Sequence, residues 1–156
     1  MLLLSLVLVL IGLAEQHKRR YNTFMGQQYR RKETCVFLVN YHLIWCPKRR
    51  RRILVGPVRD RLVQIIQETA PEMECEVLAI EVMPDHLHLF LSAAPQWAPN
   101  QLVGRFKGKS ARLLRMEFPE LLRMPSLWTR SFFCSTAGNV SSETIKRYIA
   151  EQTTRD

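Results

Sequence analysis

Residues 76–92 read EVLAIEVMPDHLHLFLS, and their reading decides the fold. Glu76 to Met83 has strand character, Pro84-Asp85 supplies a tight turn, and the apolar run from Leu87 to Leu91 returns as a second strand. Side chains of an extended strand alternate between faces, so Leu87, Leu89 and Leu91 share the side that packs into a core. His86 and His88 project together from the other side, their roots about 6 to 7 Å apart. Two imidazoles at that separation can chelate one metal ion on an open sheet face. A histidine on a strand is more often a satisfied polar residue, so the pair taken alone leaves both readings standing.

Upstream of this hairpin, Thr34 to Cys46 is rich in β-branched and aromatic residues. It reads as one long first strand, with Phe37, Val39, Tyr41, Leu43 and Trp45 on one face and Asn40 and His42 on the other. Gly56-Pro57 then opens a helix in which Val58, Leu62, Ile65, Ile66 and Thr69 recur at helical spacing, and Pro71 is expected to stop it. Downstream, Gln101 to Glu117 carries Leu102, Phe106, Leu113 and Leu114 on one stripe and Arg105, Lys109 and Arg112 on another, a second amphipathic helix despite Gly104 and Gly108. Phe132 to Thr136 is a short strand, Thr136 to Asn139 a flexible joint, and Ser141 a cap for a final helix with Glu143 in its first turn.

The order is βαββαβ plus a terminal helix, which predicts an α+β, ferredoxin-like fold: a four-stranded antiparallel sheet with two helices on one face. In that arrangement the first and third strands are central neighbours, which brings Asn40 and His42 close to His86 and His88.

With 156 residues and 47% hydrophobic content, one domain with one core is expected. The 23 Lys and Arg against 14 Asp and Glu leave a net charge of +9, which favours a polyanionic partner over an acidic protein but does not separate DNA, RNA and anionic lipid. Cys35, Cys46, Cys75 and Cys134 form no C-x-x-C pair, which argues against a disulfide framework or zinc knuckle and favours a reducing cytoplasm.

Met1 to Ala14 is almost wholly apolar, yet its basic residues, His17 to Arg20, follow the run instead of preceding it, and it is shorter than the ~20 residues of a spanning helix. Translation beginning at Met25 is the favoured explanation and a short membrane-associating segment the alternative; no stable membrane association is expected. The division anticipated is a leader over 1–33 and a domain over 34–156.

In the final helix Ile145, Tyr148, Ile149 and Gln152 fall on one stripe. This is either an ordinary seam to the core or a place where the phenol of Tyr148 and the amide of Gln152 reach one point in space. Lys48, Arg49, Arg50, Arg51 and Arg52 form a charge run, and Arg105, Lys107, Lys109 and Arg112 a second basic group. Each is either a solvated surface or a set of phosphate contacts, which give salt-sensitive affinity and little sequence information. Trp97 and Trp128 could stack on unpaired bases, with core packing preferred for Trp128.

Taken together, H-L-H after M-P-D, N-Y-H-L-I-W-C-P-K (40–48), R-F-K-G-K-S (105–110), S-L-W-T-R-S-F-F (126–133) and T-I-K-R-Y-I-A-E-Q (144–152) resemble the TnpA transposases of the insertion-sequence 200/605 family, which are HUH single-tyrosine enzymes. The resemblance runs from about Thr34 to Gln152. The apolar leader is no part of the family pattern, and the run Lys48 to Arg52 is more uniformly basic than is usual for it.

The resemblance implies Tyr148 as nucleophile and His86, His88 and Gln152 as ligands of a divalent ion, Mg²⁺ or Mn²⁺. It implies a homodimer acting on single-stranded DNA hairpins at transposon ends, cleaving and joining strands through a 5′-phosphotyrosine. Nitrogen and oxygen ligands alone would equally admit Zn²⁺, Co²⁺ or Ni²⁺. Asp85 is either a turn residue or a partner that orients His86. The competing expectation is a domesticated, non-catalytic single-stranded nucleic-acid-binding protein on the same scaffold.

Overall fold

The computed structural model describes residues 23–24, 27–136 and 147. The chain divides into two compact units, Met1–Leu38 and Val39–Asp156. In the first, β1 (Thr23–Phe24) pairs antiparallel with β2 (Gln27–Gln28), and β3 (Arg30–Arg31) with β4 (Val36–Phe37). The Arg30 guanidinium lies 5.3 Å from the centre of the Phe37 ring, a cation–π contact.

The long first strand expected over 34–46 is thus interrupted. Phe37 belongs to β4, and the strand that enters the main sheet is β5 (Asn40–Trp45). The β-branched and aromatic run reports strand propensity throughout, and propensity alone does not say with which partner each part pairs.

The second unit continues from β5 through α1 (Gly56–Glu72), β6 (Glu76–Met83), β7 (His86–Ser92), α2 (Pro99–Glu117) and β8 (Phe133–Thr136). Its sheet order is β6-β7-β5-β8, every pair antiparallel. This is the ferredoxin-like βαββαβ arrangement, with the first and third strands of the motif, β5 and β7, as central neighbours.

Alternation places the core. Leu43 and Trp45 of β5 and Leu87, Leu89 and Leu91 of β7 are all but fully buried, in one cluster with Leu62, Ile65 and Ile66 of α1 and Leu102, Val103 and Phe106 of α2. Burying such side chains stabilises by roughly 1.5–3 kcal/mol each. The Trp45 ring stacks on Phe106 at 6.3 Å and meets Trp128 edge-on at 6.2 Å. Both helices therefore cover the leucine face, and the histidines project from the other.

The helix ends differ slightly from expectation. Gly56 opens α1 at φ +50°, a left-handed conformation that glycine adopts without strain. Pro71 lies inside the last turn, and the helix runs on to Glu72: a proline one residue from the end forfeits a single backbone hydrogen bond, too little to stop the helix earlier. α2 begins at Pro99, two residues before the start expected at Gln101, and the backbone N–H of Ala98 donates to Gln101 Oε1 at 3.0 Å. No helix among the described residues is long and apolar enough to cross a membrane.

Candidate active site

The β6–β7 turn and the register of β5 against β7 assemble the histidine face. His86 pairs with Met83 across the hairpin, and His88 lies between Glu81 on β6 and Ile44 on β5. His42, one position along the same face of β5, reaches His88: its Nε2 lies 3.1 Å from His88 Nδ1. The His86 and His88 rings are 5.1 Å apart between centroids and inclined by 70°, close enough to address one point between them.

This face is less open than the alternation alone implied. The His86 side chain is 25% exposed, but His88 is only 9% exposed and Phe90, next on the same face, is fully buried. A β-bulge between Val77 and Ala79 supplies the reason, since Leu78, the residue it inserts, packs with Ala79 against Phe90. The face is therefore apolar and closed at Phe90 and accessible at His86.

Asp85 is more than a turn residue. Its Oδ1 lies 2.7 Å from His86 Nδ1, and its Oδ2 receives both Nε and Nη2 of Arg50, at 3.1 and 2.9 Å. The hydrogen bond from His86, with a further contribution from Arg50, holds the Asp85 carboxyl below the usual carboxylate range. An ionised carboxylate only accepts, so His86 donates from Nδ1 and presents its lone pair at Nε2. Burial, and then the neighbouring imidazoles of His42 and His86, push His88 down to about 4; burial also lowers His42. His88 is therefore neutral at physiological pH, the form in which an imidazole binds a metal.

Two imidazoles on one face suit a divalent ion. Among the described residues no third His, Cys, Asp or Glu joins them in a metal-holding group. Both Gln152 and Tyr148 lie outside the described residues, as do the joint at Gly138 and Asn139 and the cap at Ser141.

The basic residues fall into separate places. Lys48–Arg50 forms a short 3₁₀ turn directly after β5, with Arg49 and Arg50 at φ +61° and +50°, and Arg51 and Arg52 follow it, all exposed. Through the Arg50–Asp85 contact this run borders the His86 end of the face. Arg105, Lys109 and Arg112 instead line a groove on the helix layer together with Glu72, Gly104 and Gly108. Lys109 is ion-paired with Glu72.

Lys107 stands apart from these three. Its ammonium donates to the carbonyls of Thr129 at 2.9 Å, Ser131 at 2.8 Å and Arg130 at 3.4 Å, and burial lowers its pKa. Trp128 is buried, with Nε1–H donating to Ser110 Oγ at 3.0 Å, and Trp97 packs half-buried against the core. The sequence singled out neither Arg50 as the holder of Asp85 nor His42 as the neighbour of His88 in hydrogen-bond contact, although strand alternation did bring His42 to the right face.

Comparison with known proteins places the chain in a family. The family model described as "Transposase IS200 like" matches residues 35–152. The chain belongs to the IS200-like transposase family. It is 42% identical over 120 residues to the ISDra2 transposase TnpA of Deinococcus radiodurans, covering 75% of this chain and 86% of that protein. It is 29% identical over 119 residues to the transposase for insertion sequence element IS200 of Salmonella typhimurium, covering 74% and 78%. A crystal structure of a Deinococcus radiodurans R1 protein assigned as a transposase superposes with a TM-score of 0.65 at 36% identity, covering 79% of this chain and 97% of the other. The structure of a REP-associated tyrosine transposase bound to a REP hairpin shares the fold, with a TM-score of 0.58 at 14% identity, covering 80% of this chain and 74% of the other.

Proposed function

We propose that this transposase cleaves and rejoins single-stranded DNA at transposon ends with Tyr148 as nucleophile. The observation that carries the reading is the pair His86 and His88 on one sheet face, the Nδ1 atoms engaged at 2.7 and 3.1 Å, in a chain matched to the family through residue 152. His86, His88 and Gln152 would hold a divalent ion, Mg²⁺ or Mn²⁺, which when bound stabilises charge on the scissile phosphate.

The phenolic oxygen of Tyr148 attacks phosphorus and the 3′-oxygen departs. A 5′-phosphotyrosine and a free 3′-hydroxyl result. Attack on that linkage by another 3′-hydroxyl releases the tyrosine and joins strands with no external energy source, because the phosphodiester bond is conserved. Asp85 keeps His86 in the tautomer that presents Nε2, and Arg50 fixes Asp85.

The exposed run of Lys48, Arg49, Arg51 and Arg52 borders the site and suits the backbone of the strand being cut. Arg105, Lys109 and Arg112 lie on the helix layer, with the sheet between them and the histidines, and suit a separate stretch of the same DNA. A subterminal hairpin as substrate is supported by the hairpin bound to the REP-associated relative. A homodimer working in the cytoplasm completes the reading.

The test is covalent capture. Incubation of the full chain with single-stranded DNA carrying candidate element ends and Mg²⁺ or Mn²⁺ yields a protein–DNA adduct on a denaturing gel, and Tyr148→Phe yields none. An adduct of unchanged yield in Tyr148→Phe removes Tyr148 from the nucleophile's role.

A further inference from the structure

His42 is the one histidine of this face that the metal reading does not use, and its contact with His88 has a defined geometry. The His42 Nε2 to His88 Nδ1 distance is 3.1 Å, the ring centroids are 5.3 Å apart and the planes differ by 20°. The nitrogen–nitrogen separation plus one ring radius at each end accounts for nearly the whole centroid distance. The rings therefore lie end to end in almost one plane, which is the geometry of an in-plane hydrogen bond and not of face-to-face stacking.

One nitrogen of the pair carries the proton, and the choice has consequences. If His42 donated from Nε2, His88 would accept at Nδ1 and, being neutral, would carry its own proton on Nε2. Neither nitrogen would then offer a metal a lone pair. If His88 donates from Nδ1, His42 accepts at Nε2 with its own proton on Nδ1, and His88 presents a lone pair at Nε2. The second arrangement matches that of His86, which donates from Nδ1 to Asp85 at 2.7 Å.

We infer that His42 is a positioning residue for the metal site: its Nε2 accepts the Nδ1 proton of His88 and fixes His88 in the tautomer that presents Nε2 to the metal. This rests on the reading of His86 and His88 as ligands. It assigns the two ligands different acceptors, a carboxylate for His86 and a neutral imidazole for His88. Its location on β5 also explains how the central strand pair builds the site, since the β5–β7 register sets His42 beside His88.

Imidazole nitrogen NMR of the metal-free, ¹⁵N-labelled full chain reads the tautomer directly. The expected result is a proton on Nδ1 of His88 and on Nδ1 of His42; a proton on Nε2 of His88 overturns the inference. Mn²⁺ titration, followed by calorimetry and by the electron paramagnetic signal of the free ion, gives the second arm. His42→Phe, which removes the acceptor, lowers Mn²⁺ affinity about 10- to 100-fold, whereas His42→Gln, whose amide oxygen can reach the place of Nε2, restores most of it. Unchanged affinity in a folded His42→Phe overturns the inference, as does equal loss in both variants with the His88 proton still on Nδ1. If wild-type protein binds no Mn²⁺ at all, the metal reading fails on its own account, and the NMR arm still decides whether His42 sets the tautomer of His88.

Discussion

Arg50 holds Asp85 across 35 positions of sequence: Nε and Nη2 of the guanidinium converge on Oδ2 at 3.1 and 2.9 Å, while Oδ1 takes His86 Nδ1 at 2.7 Å. The contact ties the basic run after β5 to the histidine strand. It brings the exposed basic stretch and the carboxylate that holds His86 into one network, so that a substitution in either is expected to be felt at His86.

For Asp85→Ala the expected outcome is a 10- to 100-fold loss of Mn²⁺ affinity by calorimetry. The Arg50 side chain is 66% exposed, so the unfolding free energy measured in urea should fall by no more than about 1 kcal/mol. A large loss of stability with intact metal affinity would make Asp85 a turn residue only.

Lys107 and its helix neighbours should separate cleanly. Lys107→Met leaves three carbonyls without their donor and is expected to destabilise by about 1–3 kcal/mol, with little change in the salt dependence of DNA binding. Arg105→Ala and Arg112→Ala should behave in the opposite way, leaving stability nearly intact and each reducing the slope of log affinity against log salt by about 1. Fluorescence anisotropy across a salt series, paired with urea melts, distinguishes the two patterns.

Ser110 links α2 to Trp128 inside the core, accepting from Nε1 at 3.0 Å and donating to Phe106 O at 2.6 Å. Ser110→Ala strands a buried indole N–H and should cost about 1–3 kcal/mol. The affinity for unpaired oligonucleotide should hold, because a buried Trp128 offers no face for stacking. A specific loss of oligonucleotide binding with stability preserved would place Trp128 at the DNA.

The hairpin of β6 and β7 was legible because alternation and a Pro-Asp turn are local signals, and so was the side on which Leu87, Leu89 and Leu91 pack. The proximity of His42 to the HLH pair followed from the strand order of the fold. What escaped is non-local. Nothing in the run 34–46 marks the break after Phe37, since the β-branched and aromatic pattern runs straight through it. Phe90 reads as another strand hydrophobe, and nothing local announces the register shift at Leu78 that packs Leu78 with Ala79 against it. Helical spacing sets Lys107 apart from the stripe of Arg105, Lys109 and Arg112, but nothing local marks the carbonyls at 129–131 that take its ammonium, which come from a segment more than twenty positions later.

The most direct measurement is cleavage of an end-containing single-stranded oligonucleotide, followed while Mn²⁺ is raised from chelated to saturating levels, with hairpin binding recorded on the same preparations. Wild-type protein is expected to cut only with the metal present, and His88→Ala to bind the hairpin nearly as well as wild type yet cut nothing at any Mn²⁺ concentration. Cleavage by wild-type protein in chelator, or full cleavage by His88→Ala, would contradict the metal reading.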